Sequence, residues 1–364
     1  MLEVGASVTG YKATVIVAPF GGGRMNLMEL AQELERRKQN SRDIIVDTSV
    51  VKAVPAETEI VLDIPEAGKY PLTEWAHGQL AEKLGIPKRY YDRMRREGKT
   101  GLLADNVNAW IGEKDRRLIR ILDGSIRAIL SDRYRIMDNY DLVFLALDEF
   151  KQKQTVEIHR ADLTETHMYL KAVDTTLVAE IRDGDVVNGG LVIRNSEVGA
   201  GAFRVEPFIL RKVCTNGLIA QHSLYKVHLG RKTTEIGWID WSDETRRLED
   251  QALWSQVRDV IRATFDEKIF HEWVETARRG TEVAIEKPIE AIDNTIKYLG
   301  ISDQKKEELL MHFMSEQDMT QYGLVNAITR TARDEKNPDE QIRLETLAGE
   351  ILAMDEERFE KVIA

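Results

Sequence analysis

The chain has 364 residues, 43% of them hydrophobic, and 51 Lys+Arg stand against 62 Asp+Glu for a formal net charge of -11. That length exceeds one typical domain and can bury a full core without covalent staples. A single cysteine excludes an internal disulfide and a cysteine-cluster zinc site, and it fits a reducing interior.

No charged-then-apolar leader opens the sequence, and no apolar run nears the roughly 20 residues of a membrane helix. A cytoplasmic protein with no membrane partner is expected. The acidic balance argues against a polyanion partner, because phosphates need cations. The distribution reverses that argument locally: residues 190–232 hold seven Lys/Arg against two acids, a balance of +5, whereas 236–364 hold 17 basic against 29 acidic residues, a balance of -12.

In chain order, 1–70 read as an N-terminal arm with a helix near 26–38 and short β-rich runs at 44–54 and 59–64. Gly21-Gly22-Gly23-Arg24 lacks the strand-then-helix context of a phosphate loop and reads as a connector. Residues 71–112 form a small helical cluster. Thr73 caps its first helix, Gly85-Ile86-Pro87 ends it, a basic helix runs over 88–96, and a third spans about 101–111. A helix-turn-helix reading would put Lys88, Arg89, Arg93, Arg95 and Arg96 on one exposed side.

Residues 113–235 make the sheet core. Alternating runs at 118–122 and 126–130 joined by Asp123-Gly124 predict a hairpin. Asp138 caps a helix to about 150. Strands follow near 155–161, 166–173, 176–182, 190–196 and 201–206, with Gly199-Ala200-Gly201 as a hairpin tip. Connections this short predict an antiparallel α+β fold. Pro207 then opens a predicted helix over 207–221, interrupted at Asn216-Gly217, which sets a turn. Residues 236–364 are all-α, with helices at 242–279, 287–299, 302–315, 320–333 and 338–362.

Cations interleaved with aromatics suit single-stranded nucleic acid, whose backbone needs charge and whose bases stack on rings. Candidate contacts are Arg133, Tyr134, Arg135, Arg194, Arg204, Arg211, Lys212, Lys226, Arg231 and Lys232. Cys214, Asn216 and Gly217 are read as a structural motif. Cys214 with His222 or His228 and Asn216 supplies the residue types of a nucleophilic site, although their spacing lends no support. No nucleotide-binding motif, cofactor or metal-ligand spacing is found.

The runs 129–135 with Asp138-Asn139, 191–199, Val213-Cys214-Thr215-Asn216-Gly217-Leu218, and Tyr322-Gly323-Leu324-Val325-Asn326-Ala327-Ile328-Thr329 resemble the phage- and plasmid-borne domain-of-unknown-function family nine-three-two. The resemblance covers about 70–335 and implies a mobile-element protein. A topological analogy links the strands-then-helix order to the Rad-fifty-two-like and Red-beta annealing proteins. The expected function is therefore phage-type single-stranded DNA binding and annealing by a homo-oligomer, without nucleotide hydrolysis. Two alternatives stay open: a nucleic-acid-processing enzyme using Cys214 and His222, and a phage structural or host-interaction protein.

Overall fold

Local signals set most of the elements in this computed structural model, which describes residues 24–112, 115–220, 225–227 and 242–364. Strand β1 (Arg24–Met25) leads into helix α1 (Leu27–Asn40). Asn26 and Glu29 form a reciprocal capping box there, each side chain accepting from the other's backbone N–H at 2.8 Å. Strands β2 (Ser41–Asp47), β3 (Lys52–Pro55), β4 (Ile60–Ile64) and β5 (Gly68–Pro71) follow, then helices α2 (Glu74–Lys83), α3 (Lys88–Arg96) and α4 (Thr100–Ile111).

Strands β6 (Arg116–Leu122) and β7 (Ser125–Ser131) form the expected hairpin. Asp123 and Gly124 both have positive φ, 51° and 75°, as a two-residue turn matching strand twist requires. Strand β2 pairs with β6, and β3, β4 and β5 make a separate meander. The three helices pack on these small sheets around Ile60, Leu62, Leu80, Tyr91, Leu103 and Ile126.

Helix α5 (Asn139–Lys153) precedes the main sheet of β8 (Val156–Leu163), β9 (Met168–Glu180), β10 (Val186–Asn195), β11 (Phe203–Arg211), β12 (Asn216–Ile219) and β13 (Tyr225–Val227). The seven strands run antiparallel in the order β1-β8-β9-β10-β11-β12, and β13 also pairs with β11. Helices α6 (Asp243–Thr264), α7 (Glu267–Gly280), α8 (Pro288–Leu299), α9 (Lys306–Glu316), α10 (Gln321–Asp334), α11 (Pro338–Leu352) and α12 (Glu356–Ile363) complete the chain. The fold is α+β with a helical C-terminal region, as the sequence predicts.

The main sheet is buried on both faces. One carries the large core that joins Leu170, Leu191 and Val205 to α5 and the C-terminal helices; on the other, Tyr169, Val192, Phe208 and Ile219 meet Ile342 of α11. This explains the main departure from expectation. The predicted helix over 207–221 is instead β11, a turn at 212–215, and β12. A strand buried on both faces loses its alternation and looks, over a few residues, like a helix core. Pro207 sits in β11 opposite Ala220, just past the last residue of β12, where the lost ladder bond costs least. Its carbonyl accepts from Ala220 N at 2.9 Å, and the N–H that proline lacks is the reciprocal bond to Ala220, at the end of the β12 ladder.

Asn216-Gly217 opens β12 rather than forming the turn, whose positive φ of 51° falls on Thr215. The strands expected at 166–173 and 176–182 are one, β9, because the Asp174 side chain accepts from Thr176 N at 2.9 Å without reversing the chain. The long helices expected at 242–279 and 338–362 each break in two at an aspartate cap, Asp266 and Asp355. Gly21, Gly22, Gly23, His222, His228, Arg231 and Lys232 lie outside the described residues.

Candidate nucleic-acid interface

Antiparallel pairing sets Arg194 directly opposite Arg204, a like-charge juxtaposition that is unfavourable alone. Glu206, two residues along the same face of β11 and 1% exposed, resolves it: its Oε2 accepts from Arg194 Nε, and its Oε1 lies 3.6 Å from Arg204 Nη1. Arg211 is similarly engaged. It donates to Asp185 at 2.7 Å and Glu316 at 2.9 Å, and these contacts hold its guanidinium above the ordinary arginine range despite burial. Arg135 reaches Glu249 and Asp250 of α6 at 3.4 and 3.3 Å.

Four of the predicted phosphate contacts are thus matched by carboxylates within the fold. Tyr134 donates to Ser196 O at 2.9 Å, and burial pushes its hydroxyl up to about 12, so its oxygen end is already committed. Arg133 and Lys212 remain exposed, and neither forms an ion pair among the described residues. The backbone of Lys226 pairs with Arg204 in β13.

The four sequence motifs meet two by two. Asn195 donates to Met137 O at 2.9 Å and Asn139 Oδ1 at 2.8 Å, while Glu197 accepts from Asn139 N at 2.7 Å and Arg127 at 2.6 Å. Asn216 donates to Thr329 Oγ1 and Asn326 O of α10, and Arg333 donates to Cys214 O at 2.8 Å. Gly217 is required where it stands, since a Cβ there would lie 2.1 Å from the Phe208 ring. Asn216 is therefore a buried strut between β12 and α10, and Cys214 has its sulfur 3.8 Å from Arg211 Nη1 and 3.9 Å from Glu316 Oε1.

Cations without buried partners collect elsewhere, on α3. Its inner face buries Tyr91 and Met94. Arg95 also turns inward, onto Glu59 at 2.9 Å and Glu74, which corrects its expected exposed place. Arg89, Arg93 and Arg96 recur at i, i+4 and i+7 along the exposed side with Tyr90, itself 43% exposed. Only Arg93 has an ion-pair partner, the exposed Glu97 at 2.8 Å, while Arg89 and Arg96 have none among the described residues.

Across the Gly85-Ile86-Pro87 turn, at the end of α2, Lys83 borders a cleft of about 130 Å³ floored by Leu80, Leu84 and Ile119. Trp110, 56% exposed, and Arg117 line the same cleft. Burial first, and the Arg117 charge second, hold the Lys83 ammonium below the ordinary lysine range. Asp115 pairs closely with Arg117 and offsets part of that repulsion. The volume is close to the ~150 Å³ cavity that accommodates a benzene ring. An apolar floor, an exposed indole and Lys83, which has no ion-pair partner among the described residues, can receive one flat ring carrying an anion, with Arg117 already held by Asp115 at the rim.

Sequence reading missed this cleft, because Lys83, Trp110 and Arg117 come from three elements joined only by folding. Searches against protein-family models, curated proteins and solved structures match this chain to none of them.

Proposed function

We propose that this chain binds single-stranded DNA through the outer stripe of α3 and the adjoining cleft, and that it anneals strands as a homo-oligomer of a mobile genetic element. The observation that carries the reading is the run Arg89, Arg93 and Arg96 with exposed Tyr90, leading across one turn to Lys83, Arg117 and Trp110. Cations spaced along an exposed helix follow a phosphate backbone, and exposed rings stack bases at roughly 1–3 kcal/mol each. A single strand fits better than a duplex, because duplex bases do not offer their faces to Trp110.

The test is binding of a fluorescent single-stranded oligonucleotide across a salt series, with a duplex control and the oligomer mass measured in parallel. Arg89→Glu with Arg96→Glu is expected to weaken binding at least tenfold and to flatten the salt slope by about two phosphate contacts. Trp110→Ala should weaken it by about 1–3 kcal/mol with little change in slope. Cys214→Ala should leave it intact, whereas loss of activity in that variant with the fold preserved would favour the enzyme reading. Unchanged affinity in the double arginine variant would remove α3 as the interface, and loss on Lys212→Glu alone would return attention to the end of β11.

A further inference from the structure

Helices α9 and α10 bring three ligand-type side chains together away from the α3 face. Glu308 and His312 are one turn apart on α9, and Asp334 ends α10. His312 is 5% exposed, and its Nε2 is buried with no hydrogen-bond partner. That nitrogen lies 3.5 Å from Asp334 Oδ2 and 3.9 Å from Glu308 Oε1, and the three ligand atoms all fall within 4.8 Å of one another. An orphaned buried imidazole nitrogen is costly and rare. Here it is aimed between two carboxylates at distances too long for a good hydrogen bond.

We propose that Glu308, His312 and Asp334 form a binding site for a divalent transition-metal ion, with zinc the preferred occupant. Bonds of about 2.0–2.2 Å in tetrahedral geometry place neighbouring ligand atoms roughly 3.3–3.6 Å apart. The observed separations reach that range with small rotations of the two carboxylates, each 39% exposed. The imidazole disfavours magnesium and calcium, which take oxygen ligands, and the divalent affinity order places zinc above manganese and iron. Arg333 Nε contacts Asp334 Oδ1 at 3.0 Å, so the other oxygen stays turned toward His312. Three protein ligands leave a fourth position to water. The ion would clamp α9 to α10, the helix that also holds Asn216 through Thr329 and Asn326.

The experiment is titration of chelator-treated full-length protein with Zn²⁺ by calorimetry and with Co²⁺ by visible absorption, together with thermal melts. One equivalent is expected to bind and to raise the melting temperature. Glu308→Gln and Asp334→Asn should each weaken binding roughly tenfold or more, with the apo melt and circular dichroism unchanged. Because both carboxylates are part-exposed, these variants test the site even if His312→Ala does not fold. No stoichiometric zinc binding would overturn the proposal. Full affinity in both carboxylate variants would also overturn it, by placing the ion at another histidine.

Discussion

At the residue scale, the fate of a cation depends on whether the fold supplies its counter-charge. Lys171 and Glu345 show the extreme case: each is 2% exposed, and their side chains meet at 2.5 and 2.6 Å between β9 and α11. Burial, more than the Glu345 charge can offset, holds the Lys171 ammonium below the ordinary lysine range. Lys171→Ala leaves a buried carboxylate alone and is expected to cost about 3–5 kcal/mol, read from urea denaturation. Lys171→Met with Glu345→Met should recover most of that loss, and a double variant as unstable as the single one would refute the pair as its source. Gly217→Ala should destabilise by at least about 1–3 kcal/mol through the Phe208 ring. Adding Phe208→Leu should cancel part of it, which a double-mutant cycle measures. From sequence, Arg194, Arg204 and Arg211 were legible as a cluster of cations. Their partners Glu206, Asp185 and Glu316 were not, because the last two lie 26 and 105 residues from Arg211.

At the element scale, α2 and α3 are locked together by a buried histidine. His77 is 1% exposed and its Nδ1 lies 2.8 Å from the Tyr91 hydroxyl. Burial first, and the neighbouring Arg95 charge second, bring the imidazole down to about 4. The folded state therefore binds the proton less readily than the unfolded chain, whose histidine titrates near ~6.5. Stability from this group is full above that value and falls as pH drops toward 4, by up to about 3 kcal/mol. His77→Gln should flatten this part of the pH-stability curve relative to the parent, and equal slopes in the two proteins would contradict the assignment. The exposed side of α3 was legible from its basic residues at helical spacing, while the inward turn of Arg95 needed Glu59 and Glu74 in place. Strand β11 misleads for the opposite reason: double burial erases the period that identifies strands.

At the scale of the whole molecule, the acidic C-terminal region is part of the core. Helix α11 covers one face of the main sheet through Ile342, and Tyr169 donates to its Asp339 at 2.7 Å, while Leu324, Ile328, Ile351 and Phe359 join the large core. A chain ending at Asn337 is expected to lose cooperative thermal unfolding and to bind a hydrophobic dye. A sharp melt with native circular dichroism would show instead that the last helices are dispensable. The net charge of -11 therefore describes the solvated outer faces of packed helices as much as any partner preference.

The sequence by itself determined the class of fold, the β6–β7 hairpin and the position of nearly every helix, because caps, turns and periodicity act within a few residues; it read most of β11 and all of β12 as helix. Only the tertiary structure decided which arginines are neutralised, which motifs touch, and that Lys83, Trp110 and Arg117, or Glu308, His312 and Asp334, share a site. Charge compensation and ligand geometry depend on distances in space between elements far apart in the chain, and those distances exist only once the sheet and helices have packed.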